Sequence, residues 1–354
     1  MARRVRSCST MPEDTKFNVL NPGAAYGSGE NKPASLQQHC RVFILQAVGL
    51  KRLSRIAELP LPRTMIQFLA NQLSVDDFYI NKNDLNGDHM SHCVYPAKCL
   101  LDMSDVLLKC VPQCLKSEQV MRLVEKWTHL RHPNLQPYLI SFTQSETEII
   151  VFDYAPYALH DILRSLTQEG KTIPEYLIWK LFGELCDVIK YLESNEIEYP
   201  ELKTKSLSLT DDGNLKLESG LLYGTEERDP MQAMAMDDTG ICGVYVSPES
   251  IKGEETTWRT QVWVLGCILY EMATLVPAYA MTASNMFGAM SAIMEGRSPA
   301  PVSDTYSMDL RSTISDCLKS DQHSRPTTDE LLGFAKARAE NLKEEYNGPS
   351  IVNL

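Results

Sequence analysis

The chain has 354 residues, 34 Lys and Arg against 46 Asp and Glu, and 44% hydrophobic residues. This length allows two domains, or one two-lobed domain with an extension, and the composition excludes collagenous, low-complexity and wholly disordered classes. A formal net charge of −12 argues against a general nucleic-acid binder, because phosphate contacts need a surplus of Lys and Arg.

Residues 1–34 are rich in Gly, Pro, Ser and Asn, as in Asn21-Pro22-Gly23 and Gly27-Ser28-Gly29, and read as a disordered tail. A helical pattern follows over residues 35–75. Leu36, Cys40, Phe43, Ala47 and Leu50 make one apolar stripe; Met65, Phe68, Leu69 and Leu73 make another after the break at Pro60 and Pro62. Residues 1–70 hold ten basic and four acidic side chains, a surplus of six positive charges, which leaves about −18 on the rest. The split predicts an extension that binds a protein partner and is not needed by the core, which is taken as complete from about Asp77. The alternative is that its helices cap the small lobe.

Strand-like runs come next, at Phe78-Tyr79-Ile80, Cys93-Val94-Tyr95, Val106-Leu107-Leu108 and Ile149-Ile150-Val151-Phe152, interrupted by a helical stretch from Glu118 to Leu130. After Pro156 the pattern is mostly helical. Pro174 opens an amphipathic helix with Leu177, Leu181, Leu185, Val188 and Leu192 on one face. Gln261 to Leu275 is apolar nearly all round and predicts a buried central helix. Strands first and helices after is the layout of a two-lobed α+β protein.

The longest apolar run, Val42 to Leu50, contains Gln46 and is far shorter than the ~20 residues a membrane span needs. It also starts too late for a signal peptide. Ten cysteines without a CxxC pair predict reduced thiols, a cytoplasmic location and no metal site.

Several motifs, most of them in the second half, resemble the protein kinase family. Ser247-Pro248-Glu249 is similar to the motif that closes the activation segment. The run Val262-Trp263-Val264-Leu265-Gly266-Cys267-Ile268-Leu269-Tyr270-Glu271-Met272 resembles the central helix of the large lobe. Arg325-Pro326-Thr327 falls where kinases place the arginine that pairs with the segment's glutamate, here Glu249. Leu130-Arg131-His132-Pro133-Asn134-Leu135 resembles the turn after the small lobe's helix. Ile173-Pro174-Glu175, Asp212-Gly213-Asn214-Leu215-Lys216-Leu217 and Cys267 to Met272 point to the NIMA-related (NEK) serine/threonine group.

The resemblance implies a bilobal kinase-like fold with a small β-rich N-lobe and a larger helical C-lobe. Its implied layout is a tail over 1–34, a basic helical extension over 35–75, a kinase-like domain over 76–340 and a C-terminal tail over 341–354. Within the domain the N-lobe spans 76–152 and the C-lobe 156–340.

Phosphoryl transfer depends on positioning and charge neutralisation: a glycine loop, a lysine held by a glutamate, a base and magnesium ligands. The glycine loop falls on Gly87 to Val94, where His89 and His92 replace two glycines whose bareness lets backbone N–H groups reach phosphate. The strand lysine is Lys109, and its helix partner position is Leu123. Glu125 lies two positions on, roughly 200° around a helix. Leu107 stands where relatives place a small alanine over the adenine. If a nucleotide binds, the resemblance places its contacts at Gly87, Val94, Lys109, Asp153 and Ala155.

The catalytic loop falls on Tyr199 to Leu207. Tyr199 and Pro200 replace His and Arg, Glu201 stands in for the base aspartate, Lys203 keeps its identity, and Ser206 replaces the magnesium-binding asparagine. The metal-binding aspartate that should follow Leu217 is absent, with Glu218 nearby in a segment one residue short. Gln261 replaces the central-helix aspartate that holds the loop; its amide oxygen can still accept, so the loop is expected to be held differently.

The substitutions concentrate on the chemistry and spare Glu249, Trp263, Gly266 and Arg325. The resulting expectation is a pseudokinase that works through protein partners, with no cofactor, metal or nucleic acid. The competing reading is an atypical serine/threonine kinase that takes ATP and magnesium, with Glu201 as base and Glu218 as its metal ligand.

Overall fold

The computed structural model describes residues 44, 49–50, 73–80, 94–112, 125–145, 147–199, 202–220, 245–280 and 286–354. The tail over 1–34, nearly all of the extension, and Gly87, His89, His92, Leu123, Pro200 and Glu201 lie outside the described residues. The chain divides into two units. One holds Met1–Leu130, Gln136–Tyr154 and Leu221–Glu226; the other holds Arg131–Leu135, Ala155–Gly220 and Glu227–Leu354.

The small unit is an antiparallel sheet of five strands: β1 (Phe78–Tyr79), β2 (Val94–Cys99), β3 (Asp105–Pro112), β4 (Tyr138–Gln144) and β5 (Thr147–Asp153), in the order β1-β2-β3-β5-β4. Alternation decides which side chains share a face. Val106, Leu108 and Cys110 of β3 join Tyr95, Ala97, Cys99, Ile149 and Val151 in one hydrophobic cluster. Leu107 and Lys109 therefore belong to the opposite face of β3. The sequence pattern misses β4, and its burial explains why: it is an edge strand, irregular between Tyr138 and Ile140, with Leu139 its one fully buried side chain.

One expectation is corrected here. Leu50, with 1% of its surface exposed, sits in the small unit's cluster together with Leu73, Val75 and Phe78, and Ile44 packs against it. The core is not complete from Asp77, because apolar side chains from the extension help to fill it.

The large unit is helical, with a small antiparallel sheet of β6 (Tyr157–Ala158), β7 (Leu207–Leu209) and β8 (Leu215–Leu217). Its helices are α1 (Leu159–Glu169), α2 (Glu175–Ser194), α3 (Pro248–Lys252), α4 (Trp258–Thr274), α5 (Met286–Met294), α6 (Met308–Cys317) and α7 (Thr328–Lys343). The apolar periodicity of α2 and the all-round apolarity of α4 produce the buried helices it predicts. Helix α4 starts three residues before Gln261 because Thr257 caps it, its hydroxyl accepting from Arg259 N at 3.2 Å. Gly266 lets α4 approach α6: a Cβ there would lie 2.5 Å from Cys317 Cβ. Beyond α7 the chain returns to the start of α2, where Tyr346 stacks on Tyr176, Ile351 is buried and Lys171 Nζ donates to Leu354 O.

Candidate functional site

In the small unit, strand register fixes the residues that the resemblance assigns to nucleotide. Val94 is the direct partner of Lys109 across β2 and β3, and Ile150 flanks Lys109 on β5. The Lys109 side chain is only 2% exposed. Two residues back on the same face, Leu107 pairs with Pro96 on one side and Phe152 on the other, and is equally buried. Asp153 pairs with Val106 at the far end of β3, so the sheet groups Val94 with Lys109 but not with Asp153. Asp153 is half-buried and its backbone is engaged: its N–H donates to Pro137 O at 3.0 Å and its carbonyl accepts from Gln136 Nε2 at 2.9 Å. Ala155, in the other unit, is buried.

In the large unit the loop from Leu202 to Leu209 is a tight turn followed by β7. Ser206 is fully buried. Its hydroxyl donates to Lys203 O at 2.7 Å and accepts from Lys203 N at 3.1 Å, so it closes the turn on itself. Glu218 follows β8, and its N–H donates to Ser206 O at 3.0 Å. Its carboxylate accepts from the Ser208 hydroxyl at 2.9 Å, and its carbonyl accepts from Tyr199 OH at 3.0 Å. Ser208 and Lys216 are register partners, so Glu218, two residues on, falls on their face of the β7–β8 pair. Glu201 cannot be placed beside them, because it lies outside the described residues.

A buried cluster that the sequence does not announce lies beneath this loop. Glu271 of α4 accepts from Thr204 Oγ1 at 3.2 Å and from Tyr245 OH at 2.5 Å, and the two hydroxyls are 3.1 Å apart. Burial pushes the Tyr245 phenol well above its ordinary pKa, and the Glu271 carboxylate adds to the shift. The signal available in the sequence is a glutamate inside an otherwise apolar helix, since a buried carboxylate requires partners.

The loop that Gln261 is expected to hold includes Pro200 and Glu201, which lie outside the described residues. The Gln261 amide oxygen is buried with no hydrogen-bond partner among the described residues.

The Glu249–Arg325 pair is as the sequence predicts, but fully buried. Arg325 is 1% and Glu249 2% exposed. The guanidinium engages both carboxylate oxygens, Nη1 to Oε1 at 2.7 Å and Nη2 to Oε2 at 2.8 Å. Its remaining N–H groups reach Lys319 O at 2.8 Å, Arg259 O at 3.0 Å and Ser320 O at 3.3 Å. The same group lies over the Trp263 ring, 5.1 Å from its centroid. Burial acts to raise the Glu249 pKa, but the bonds from Arg325 outweigh it and hold the carboxyl below its ordinary range. Among the described residues no group of three His, Cys, Asp or Glu could hold a metal ion, and no helix is long and apolar enough to cross a membrane.

Comparison with known proteins accounts for this arrangement. Residues 92–334 match the protein kinase domain family. The chain belongs to that family. Kinase relatives of the NEK type are distant: serine/threonine-protein kinase Nek1 of Mus musculus is 30% identical over 232 residues, 64% of this chain and 18% of its own length. Probable serine/threonine-protein kinase nek3 of Dictyostelium discoideum is 29% identical over 215 residues, 60% of this chain and 19% of its own length. Serine/threonine-protein kinase Nek10 of Homo sapiens is 30% identical over 204 residues, 56% of this chain and 16% of its own length. This kinase-family chain thus spans less than a fifth of these relatives. A second match covers residues 32–70, to the SOCS box, which points to protein partners. Leu36, Cys40 and Leu50 of the apolar stripe, and Pro60 and Pro62 of the break, all fall inside it.

Proposed function

We propose that the chain is a pseudokinase adaptor: a kinase-like fold that binds proteins without transferring phosphate, joined to a SOCS box that recruits a ubiquitin E3 ligase. The observation that carries the first half is the engagement of Ser206. At the position where active relatives place a magnesium-binding asparagine, a fully buried hydroxyl closes its own turn through Lys203. Glu218 adds to the reading, because its carboxylate accepts from Ser208 on the β7–β8 face. A serine hydroxyl and one such carboxylate are a poor donor set for magnesium, which favours several oxygen ligands in near-octahedral geometry. No phosphoryl-transfer step is therefore assigned. Leu107 in place of a small residue argues the same way for the adenine. The SOCS-box match at 32–70 carries the second half.

The test is thermal melting of the full chain with and without magnesium-ATP, paired with a phosphotransfer assay on a generic protein substrate. Saturating nucleotide at 100 times its dissociation constant stabilises a protein by ~2.7 kcal/mol. The expected result is no shift and no transfer. A magnesium-dependent shift of several degrees with transfer that is lost in Glu201→Gln would establish the atypical kinase instead.

A further inference from the structure

The SOCS-box match ends twenty-two residues before the first residue of the kinase-family match, yet one point inside it is seated deep in the small unit. Leu50 fills the cluster formed by Val75, Phe78, Tyr95, Leu101 and their neighbours. Its backbone N–H donates to Asp102 Oδ2 in the turn between β2 and β3, 52 residues away in sequence. The other carboxylate oxygen of Asp102 accepts from Ser104 N at 3.1 Å and Ser104 Oγ at 2.6 Å. Gly49 makes the approach possible: its φ is +74°, and a Cβ there would stand 3.3 Å from Asp102 Oδ2.

The turn is itself held in an unusual shape. Met103 has a φ of +59°, and the turn is pinned by Met103 N to Cys99 O and Cys99 N to Ser104 O, both at 2.8 Å. Asp102 feels the burial, which acts to raise its pKa. The bonds from Ser104 and from the Leu50 amide outweigh that and hold the carboxyl below its usual range. A free carboxylate on a surface hairpin would show none of these features.

We propose that the β2–β3 turn is an intramolecular docking site for the SOCS-box match at Gly49–Leu50, with Asp102 as the receptor of the Leu50 amide, so that this point and the small unit's sheet open and close as one cooperative body. The inference rests on the SOCS-box half of the proposed function and is independent of whether nucleotide binds. A ligase recruited at residues 32–70 then meets a stretch that is tied to the small unit at Leu50.

Hydrogen exchange on the full chain tests this without nucleotide or partner. In the unaltered protein the Leu50 amide is expected to be protected to the same degree as amides of β2 and β3. Asp102→Ala should speed exchange at Leu50 at least tenfold and speed exchange in β1 and β2 with it, while α4 in the large unit keeps its protection. Asp102→Asn, which retains an acceptor oxygen, should lie between. Free exchange at Leu50 beside a protected β2 in the unaltered chain would overturn the proposal. So would unchanged Leu50 protection in Asp102→Ala. The first comparison decides the matter even if the alanine variant does not fold.

Discussion

Two glutamates of the large unit, Glu249 and Glu218, are both buried carboxylates at positions where a kinase resemblance expects work, and they are used differently. Glu249 meets a guanidinium on both oxygens, and that guanidinium has every N–H satisfied and an indole beneath it. Glu218 meets a neighbouring serine hydroxyl on its own strand pair. A charge with a fully matched counter-charge cannot lose its partner without leaving a bare ion in a dry interior. A carboxylate that accepts from a hydroxyl has little to lose if it is replaced by an amide. The Glu249 carboxylate is thus locked to its partner by mutual dependence, whereas the bond from Ser208 to Glu218 is a local one that an amide could also accept.

The comparison breaks most visibly at Arg325. Arg325→Ala strands the Glu249 carboxylate and should cost about 3–5 kcal/mol, read by chemical denaturation of the full chain. Next in size is the pH response. In the native protein Glu249 titrates below its ordinary value, so its contribution is fully present above about pH 4.5 and lost as pH falls through the lower native value. In Arg325→Ala the partner is gone and burial alone acts, which raises the same pKa. Acid should therefore relieve the variant while it weakens the native protein, and the gap between their stabilities should narrow from pH 7 to pH 4. A gap that widens would show that the pair is not the source of the loss.

Smaller effects sharpen the other side. Glu218→Gln keeps an oxygen for Ser208 and should cost at most about 1 kcal/mol, the net worth of the ordinary hydrogen bond it can retain. Lys203→Ala should cost least, below about 1 kcal/mol, because the turn is built on the Lys203 backbone and the Ser206 hydroxyl. Losses at Lys203 equal to those at Arg325 would undo the contrast between scaffold and chemistry.

Much of the fold is legible in the sequence because it rests on local periodicity. The alternation of β3, the stripe of α2 and the all-round apolarity of α4 each specify a burial pattern that the structure repeats. The Glu249–Arg325 pair is legible for another reason: two short motifs in the right order imply a contact across 76 residues. Strand β4 is hidden because an edge strand with one buried side chain has little alternation to show. The Thr204–Tyr245–Glu271 cluster joins residues 41 and 67 apart through hydroxyls that could have bonded anywhere. Leu50 misleads most. Charge counting reports what faces water, and it suggests a detachable extension, but the described contacts of the extension with the small unit are made by apolar side chains and a backbone N–H, none of which carries charge.

The described cysteines divide between the units, Cys99 and Cys110 in the small one and Cys186, Cys267 and Cys317 in the large, and all five are buried. Burial pushes the Cys99 thiol up to about 11 and also raises Cys186, Cys267 and Cys317 above the ordinary thiol value. Those four side chains hold almost no thiolate at neutral pH, and the thiolate is the form that an alkylating reagent attacks. Each unit consequently carries its own clock. The time at which Cys99 becomes reactive records the opening of the sheet, and the time at which Cys267 does records the opening of the helices, within one labelling experiment on an unmodified chain.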